Sequence, residues 1–109
     1  MTREQAQQTL EDCRRKIDKL DLRLLALLNE RTRVVAEIAA AKHALGLPVY
    51  EPRREDEVYA NITAHNWGPL GSGALRRIFE RIIDEMRSIQ KQRITEESDQ
   101  GRPAPGPES

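Results

Sequence analysis

Apolar residues recur at steps of three and four along the first 45 positions of the chain, and no proline or glycine precedes Gly46. The apolar positions are Leu10, Cys13, Ile17, Leu20, Leu24, Leu27, Leu28, Val34, Val35, Ile38, Ala41 and Leu45. This period predicts one amphipathic helix over about residues 4–45, which Gly46 and Pro48 end. Such a helix is about 60 Å long and exceeds the usual length in globular proteins, which predicts packing against a partner chain.

Two shorter helices are predicted after the first. Pro52 suits the first turn of a helix, where its missing N–H removes no hydrogen bond, and it predicts a second helix over about residues 51–65. Residues 66–73 combine a proline with three glycines and predict a loop. Apolar residues then return at steps of three and four, which predicts a third helix over about residues 73–92.

The end of the sequence has a different character. Residues 95–109 are polar and rich in proline and glycine. Such a segment buries too little apolar surface to offset the entropy lost on ordering it. We therefore expect one helical domain over residues 1–94 and a disordered tail over residues 95–109.

Composition narrows the class of protein. The 109 residues allow one domain with a modest core, and 33% charged against 4% aromatic residues favours an all-α fold. Eighteen basic and eighteen acidic residues produce no positive field of the kind that nucleic-acid-binding proteins use. The sequence contains neither a secretory signal nor a run of about 18 apolar residues. We expect a cytoplasmic protein that binds neither nucleic acid nor membranes.

The chain has one cysteine and two histidines that could carry chemistry. Cys13 has no second cysteine to pair with and is interpreted as a small residue of the first helix. His43 and His65 stand far apart, without cysteines or an acidic cluster at metal-ligand spacing. We expect neither a metal nor another cofactor.

Several polar residues interrupt the apolar stripes. At about 100° per residue, Arg31 and Lys42 fall among the apolar positions of the first helix, and Arg14 lies at their edge. Gln90 follows Ile83 by seven positions on the third-helix stripe. Inward cations either set the register of a helix pair, with their charged ends reaching water, or await an anionic ligand such as a small dicarboxylate. Periodicity alone leaves both interpretations open.

Spacing limits how these residues could share a ligand. Arg14 and Arg31 are 17 positions apart, about 25 Å along one helix, which is too far for both to grip one small molecule. If both bind the same ligand, Arg14 must come from a partner subunit. The charged residues 51–57 at the start of the second helix are also compatible with an ordinary solvated first turn.

The stretch CRRKIDKLDLRLLALLNER, residues 13–31, strongly resembles the opening helix of the AroQ-type chorismate mutases. The stretch and the residues after it follow the family's order: first an arginine, then an I-D-x-L-D motif, then a leucine-rich run ending in arginine, and a lysine eleven residues later. The segments PVYEPRREDEV and IFERIIDEMRSIQ resemble the start of the family's second helix and the end of its third. The resemblance covers about residues 8–92. It implies an intertwined all-α homodimer that rearranges chorismate to prephenate without a cofactor.

The same resemblance implies roles for a set of polar residues. They are Arg14, Arg31, Lys42, Glu51, Arg54, Glu55 and Gln90. The three arginines, with Arg14 contributed across the dimer, would bind the two substrate carboxylates. Lys42 and Gln90 would donate hydrogen bonds to the ether oxygen and, with Arg31, form the catalytic set. Glu55, assisted by the backbone near Glu51, would accept a hydrogen bond from the ring hydroxyl.

Two features depart from the family pattern, and two alternatives stay open. Met86 stands where some members have a small or hydroxyl residue, and residues 67–73 are unlike the usual loop, so Met86 receives no role. An isochorismate-pyruvate lyase shares the fold and several cations, although Arg54 and Glu55 together favour the mutase. A non-catalytic helical interaction module would leave the joint placement of the site-like residues unexplained.

Overall fold

The computed structural model describes the backbone of residues 1–101 and the side chains of residues 1–96. Within this part of the chain there are three helices, α1 (Arg3–Leu45), α2 (Pro52–Ala64) and α3 (Ser72–Gly101), and no strand. The all-α prediction is confirmed. The chain forms two compact units that divide within α1, the first being Met1–Arg33 and the second beginning at Val34.

The first unit consists of the N-terminal part of α1. No side chain of Met1–Arg33, all of which the structure describes, is buried. Its apolar positions are instead exposed to water, with exposed fractions between 50% and 61% for Ile17, Leu20, Leu24 and Leu27. Within one chain, this stripe of α1 is therefore an exposed apolar surface.

The second unit contains the buried core. Val35 and Ala39 are buried on α1, and Leu75, Ile83 and Met86 are buried on α3. Helix α2 packs against α3. The half-buried apolar residues of α2 are Val58, Tyr59 and Ile62. This small core orders the helix ends and the short link between α1 and α2, from which the polar residues described below project.

The C-terminus of α1 ends where the sequence predicts. Gly46 adopts a left-handed backbone conformation with φ of 67°, which a residue with a Cβ rarely adopts. The Gly46 N–H donates to the His43 carbonyl at 3.2 Å, and the Leu47 N–H donates to the Lys42 carbonyl at 2.9 Å. These two bonds form a Schellman motif, which satisfies carbonyls at the helix end and turns the chain back.

Helix α2 begins at Pro52, as its sequence predicts, with Glu51 at the N-cap position. The Glu51 side chain makes no capping hydrogen bond, although N-cap side chains usually accept one from the first turn. Glu51 contributes to the first turn of α2 through its backbone carbonyl, which accepts a hydrogen bond from the Glu55 N–H at 3.0 Å. The carboxylate of Glu51 is therefore available for another contact.

Helix α3 is longer than its apolar pattern predicts. It begins at Ser72 and runs to Gly101, whereas the apolar period predicts an end near residue 92. No glycine or proline interrupts the chain between Gly73 and Gly101, so nothing local ends the helix before that glycine. The helix thus covers the first part of the segment for which we predicted disorder. Residues 102–109 lie outside the described residues.

None of the helices in the described part of the chain combines the length and the apolar character that crossing a bilayer requires. The cytoplasmic location expected from the sequence stays a prediction.

Candidate active site

The ammonium group of Lys42 is the centre of a polar cluster in the second unit. The Lys42 residue is 7% exposed, and its Nζ makes two hydrogen bonds and one ion pair. The hydrogen bonds are to the Val49 carbonyl at 2.8 Å and Gln90 Oε1 at 2.9 Å, and the ion pair is with Glu51 Oε1 at 2.7 Å. An ammonium group has three hydrogens, of which two are donated to Val49 and Gln90, and these bonds together with the Glu51 ion pair fix its position.

The turn after α1 explains how these groups meet. Lys42 lies in the last turn of α1, where a cation is favoured by the helix dipole. The Schellman motif reverses the chain so that Val49 and Glu51 reach back to the lysine, while α3 supplies Gln90. A buried charge costs several kcal/mol unless it is paired, and the carboxylate of Glu51 provides that pairing. The sequence prediction that Lys42 faces the interior therefore matches the structure.

The contact with Lys42 also determines the orientation of the Gln90 amide. An ammonium group can only donate, so the atom of Gln90 facing Lys42 must be the carbonyl oxygen. The NH₂ group of Gln90 is then directed elsewhere and keeps two hydrogens to donate. Lys42 and Gln90 together offer hydrogen-bond donors held by a buried framework.

A second ion pair joins α2 to α3. The Arg87 Nη2 donates to Glu55 Oε1 at 2.7 Å and to Glu55 Oε2 at 2.6 Å, and Arg87 Nε donates to Oε2 at 3.2 Å. The two side chains are only 26% and 22% exposed. This hydrogen bonding raises the pKa of Arg87 above its ordinary value, against the opposing effect of partial burial, and keeps the guanidinium charged.

The link between α1 and α2 connects the two clusters. The guanidinium carbon of Arg87 lies 5.0 Å from the centre of the Tyr50 ring, a distance at which cation and ring attract each other. Tyr50 stands between Val49 and Glu51, both of which contact Lys42. In the segment 49–51, the two outer residues thus contact Lys42 and the middle residue contacts Arg87.

Three arginines complete the set of predicted site residues. Arg54 is 66% exposed at its side chain and contacts Glu57 at 3.4 Å, one turn along α2. Arg14 and Arg31 belong to the first unit, where Arg14 is exposed and Arg31 is half-buried. Within a single chain the face of α1 that carries Arg14 is open to water, and the inward orientation of Arg14 stays a prediction.

Sequence reasoning missed Arg87 and Tyr50. The available signal for Arg87 was its position four residues after Ile83, which places both on the same side of α3. The partner Glu55 lies on another helix, and helix periodicity carries no information about contacts between helices. Met86, which received no role, is buried with 6% exposure. Among the described residues, no group of histidine, cysteine, aspartate and glutamate could hold a metal ion.

Comparison with known proteins identifies the family. Residues 13–91 match the family model described as chorismate mutase type II. A chorismate mutase of Methanocaldococcus jannaschii is 32% identical over 91 residues, covering 80% of this chain and 89% of that protein. Matches to bifunctional chorismate mutase/prephenate dehydratases cover about a quarter of those longer proteins, 24% in one and 25% in another.

Solved structures support the same assignment. A chorismate mutase structure from Thermus thermophilus aligns with a TM-score of 0.74 and 35% identity, covering 76% of this chain and 94% of that one. The chorismate mutase of Helicobacter pylori, solved in complex with prephenate, aligns with a TM-score of 0.76 and 28% identity, covering 82% and 97% of the two chains. The resemblance found in the sequence is confirmed, and the chain belongs to the type II chorismate mutase family.

Proposed function

We propose that the chain is a chorismate mutase, an isomerase that rearranges chorismate into prephenate for the synthesis of phenylalanine and tyrosine. The observation that carries this proposal is the buried Lys42 ammonium in contact with Gln90, within a chain that matches the family over residues 13–91. Two neighbouring donors of this kind suit a reaction in which one oxygen gains negative charge.

The rearrangement needs no nucleophile, acid or base from the protein. The ether C–O bond of the substrate breaks while a new C–C bond forms within the same molecule, and no proton is transferred. Catalysis then consists of holding the compact conformer and stabilising the charge on the ether oxygen. Lys42 and the NH₂ group of Gln90 donate to that oxygen, and these bonds strengthen as the C–O bond lengthens.

Substrate binding competes with Glu51 at the lysine, because two of the three ammonium hydrogens are donated to Val49 and Gln90 and the Glu51 carboxylate lies 2.7 Å from the nitrogen. The Glu51 side chain is 42% exposed, so its carboxylate can turn towards water more readily than the Val49 carbonyl. We infer that the ether oxygen takes the place of Glu51 on Lys42. Glu51 then remains at the edge of the site, next to the substrate hydroxyl from which Glu55 accepts a hydrogen bond.

The two substrate carboxylates are bound by arginines. Arg31 and Lys42 are eleven positions apart in the sequence, about three helical turns, and the helical period predicts that they share one side of α1. Arg54, which is 66% exposed, can exchange its contact with Glu57 for a substrate carboxylate. The third arginine is Arg14 of the partner subunit, because 17 positions separate it from Arg31 on one helix. Guanidinium groups suit this work because they bind carboxylates in a bidentate manner.

This arrangement makes the homodimer part of the active site. It is supported by the exposed apolar face of Met1–Arg33, on which Ile17, Leu20, Leu24 and Leu27 are each at least half exposed. A second copy of α1 offers the same face, as a two-fold symmetric interface requires. Packing the two faces removes apolar surface from water and brings an arginine from each chain to the other.

The test is to incubate the purified protein separately with chorismate and with isochorismate and to follow prephenate, salicylate and pyruvate. We expect prephenate from chorismate and no reaction with isochorismate. Formation of salicylate and pyruvate from isochorismate, with no prephenate from chorismate, would instead identify a lyase. Inertness towards both substrates in a folded dimer would favour a non-catalytic module.

A further inference from the structure

Arg87 differs from the other arginines of α3 in what it joins. Arg76 and Arg81 pair with Glu80 and Glu85, one turn away on the same helix. All four of those side chains are at least half exposed, and exposed pairs of this kind contribute little. Arg87 also contacts Asp84, one turn away on α3, at 3.4 Å. Unlike the other two, it additionally spans two helices to reach Glu55, and the Arg87 and Glu55 side chains are largely shielded from water.

The geometry of this pair fixes Glu55 while leaving it able to bind a ligand. Arg87 contacts both carboxylate oxygens, through Nη2 and Nε. A carboxylate has about four lone-pair positions, two on each oxygen, and Arg87 occupies both positions of Oε2 and one of Oε1. Glu55 Oε1 therefore still has capacity to accept one further hydrogen bond. A glutamate held in one rotamer loses less conformational freedom when it binds a hydroxyl than a mobile glutamate does.

Arg87 also restrains the link that carries the partners of Lys42. The Tyr50 ring lies 5.0 Å from the guanidinium carbon, and the residues on either side of Tyr50 contact the Lys42 ammonium. A substitution of Arg87 would therefore loosen both the carboxylate of Glu55 and the link between α1 and α2, without removing any contact of Lys42 itself.

We propose that Arg87 is a positioning residue for the rearrangement. It holds Glu55 and the link between α1 and α2 so that Glu55 accepts a hydrogen bond from the ring hydroxyl of the substrate in a fixed geometry. This inference rests on the proposed function. The hydroxyl takes no part in bond making or breaking, so its hydrogen bond is similar in the bound substrate and in the transition state. Loss of such uniform binding raises KM and leaves kcat nearly unchanged.

The experiment compares Arg87→Met, Glu55→Gln and the double variant with the unmodified protein, using initial rates of prephenate formation. We expect Arg87→Met to raise KM about tenfold with kcat within about twofold. In the Glu55→Gln background the same substitution should change KM less than about twofold, because the arginine acts through the glutamate.

Arg76→Met is the matched control. Arg76 also belongs to α3 and lies over an aromatic ring of α2, with its guanidinium carbon 4.1 Å from the centre of Tyr59, but its salt bridge is to Glu80. We expect Arg76→Met to leave KM unchanged, even if both variants lower the melting temperature. If Arg87→Met lowers the melting temperature and leaves KM unchanged, the ion pair is only structural and the inference is wrong.

If Arg87→Met fails to fold, Arg87→Lys replaces it. Lysine keeps the charge but cannot bind both carboxylate oxygens in the planar fork, so we expect KM to rise about threefold. An unchanged KM in Arg87→Lys would overturn the inference. Absence of prephenate formation by the unmodified protein would refute the proposed function, and the inference with it, whereas an active protein with unchanged KM values refutes the inference alone.

Discussion

The two units of this chain share one helix and the same apolar period, but they bury their side chains differently. Leu20, Leu24 and Leu27 in the first unit are at least half exposed, whereas Val35 and Ala39 in the second are buried. The second unit also contains α2 and α3, and it assembles the Lys42 cluster from one chain. The first unit has an uncovered apolar face, which carries the arginine that the proposed site requires from another copy.

This difference teaches that one amphipathic pattern can serve two purposes. Where the chain turns back after Gly46, the pattern contributes to a core within the monomer. In Met1–Arg33 it leaves an apolar face exposed, which the proposed dimer would cover. The proposed enzyme therefore combines a part that is ordered within the monomer with a part that association completes.

The largest expected effect comes from placing a charge on the exposed face of the first unit. Leu24→Glu should convert the dimer into a monomer, because burying a carboxylate at an apolar interface costs several kcal/mol. Prephenate formation should fall at least about 10³-fold, since the partner's Arg14 is lost from each site. Sedimentation equilibrium and the rate of prephenate formation measure both effects.

Leu22→Glu is the matched control for that substitution. Leu22 is 68% exposed and, at 100° per residue, lies on the opposite side of α1 from Leu24. We expect a dimer with normal activity. A Leu24→Glu protein that remains a fully active dimer would show that this face is not the interface.

The next largest effect tests the buried cluster of the second unit. Lys42→Ala should lower kcat at least about 10²-fold, the scale for removing one donor to the charge that develops in the transition state. The control is Lys91→Ala, because Lys91 is exposed and adjoins Gln90 in sequence. Near-normal prephenate formation by a folded Lys42→Ala dimer would rule out the role assigned to Lys42.

A smaller effect is expected at the second donor. Gln90→Ala removes one hydrogen bond to the ether oxygen, but Lys42 keeps Val49 and Glu51 as partners and stays in position. We expect kcat to fall about tenfold, as one neutral hydrogen bond is worth about 1 kcal/mol. Gln92→Ala, on the exposed surface of α3, should leave kcat unchanged. Equal kcat values in the two variants would remove Gln90 from the catalytic set.

The smallest effect concerns the packing of α2 on α3. Burial raises the pKa of Tyr59 above its ordinary value of 10.0, and the negative charge of Glu80 adds to this effect. A raised pKa in the folded state means that the neutral tyrosine contributes stability below about pH 10, which is lost as the pH rises through the folded-state value.

Urea unfolding at several pH values tests this contribution, with Tyr59→Phe as the control because phenylalanine cannot ionise. The difference in unfolding free energy between the two proteins should be constant below about pH 10 and should decline above it. A constant difference through the whole alkaline range would show that Tyr59 ionises equally well in the folded and unfolded chains.

Local signals in the sequence were sufficient for most of the fold. The start of α2 at Pro52 and the end of α1 before Gly46 follow from the conformations that proline and glycine allow. The end of α3 lies beyond its predicted position, because the apolar period fades near residue 92 while no residue before Gly101 breaks the helix. A fading apolar period indicates only where core packing ends, since exposed helix can continue beyond it.

The sequence by itself determined the three helices, the uncovered face of α1 and the interior position of Lys42, because these depend on residues within a few turns of one another. Only the tertiary structure decided that Lys42 meets Gln90, 48 positions away, and that Arg87 binds Glu55, 32 positions away. Such contacts depend on where a turn and a helix packing place two distant segments in space. Helix periodicity repeats every 3.6 residues and does not predict which distant segments come into contact.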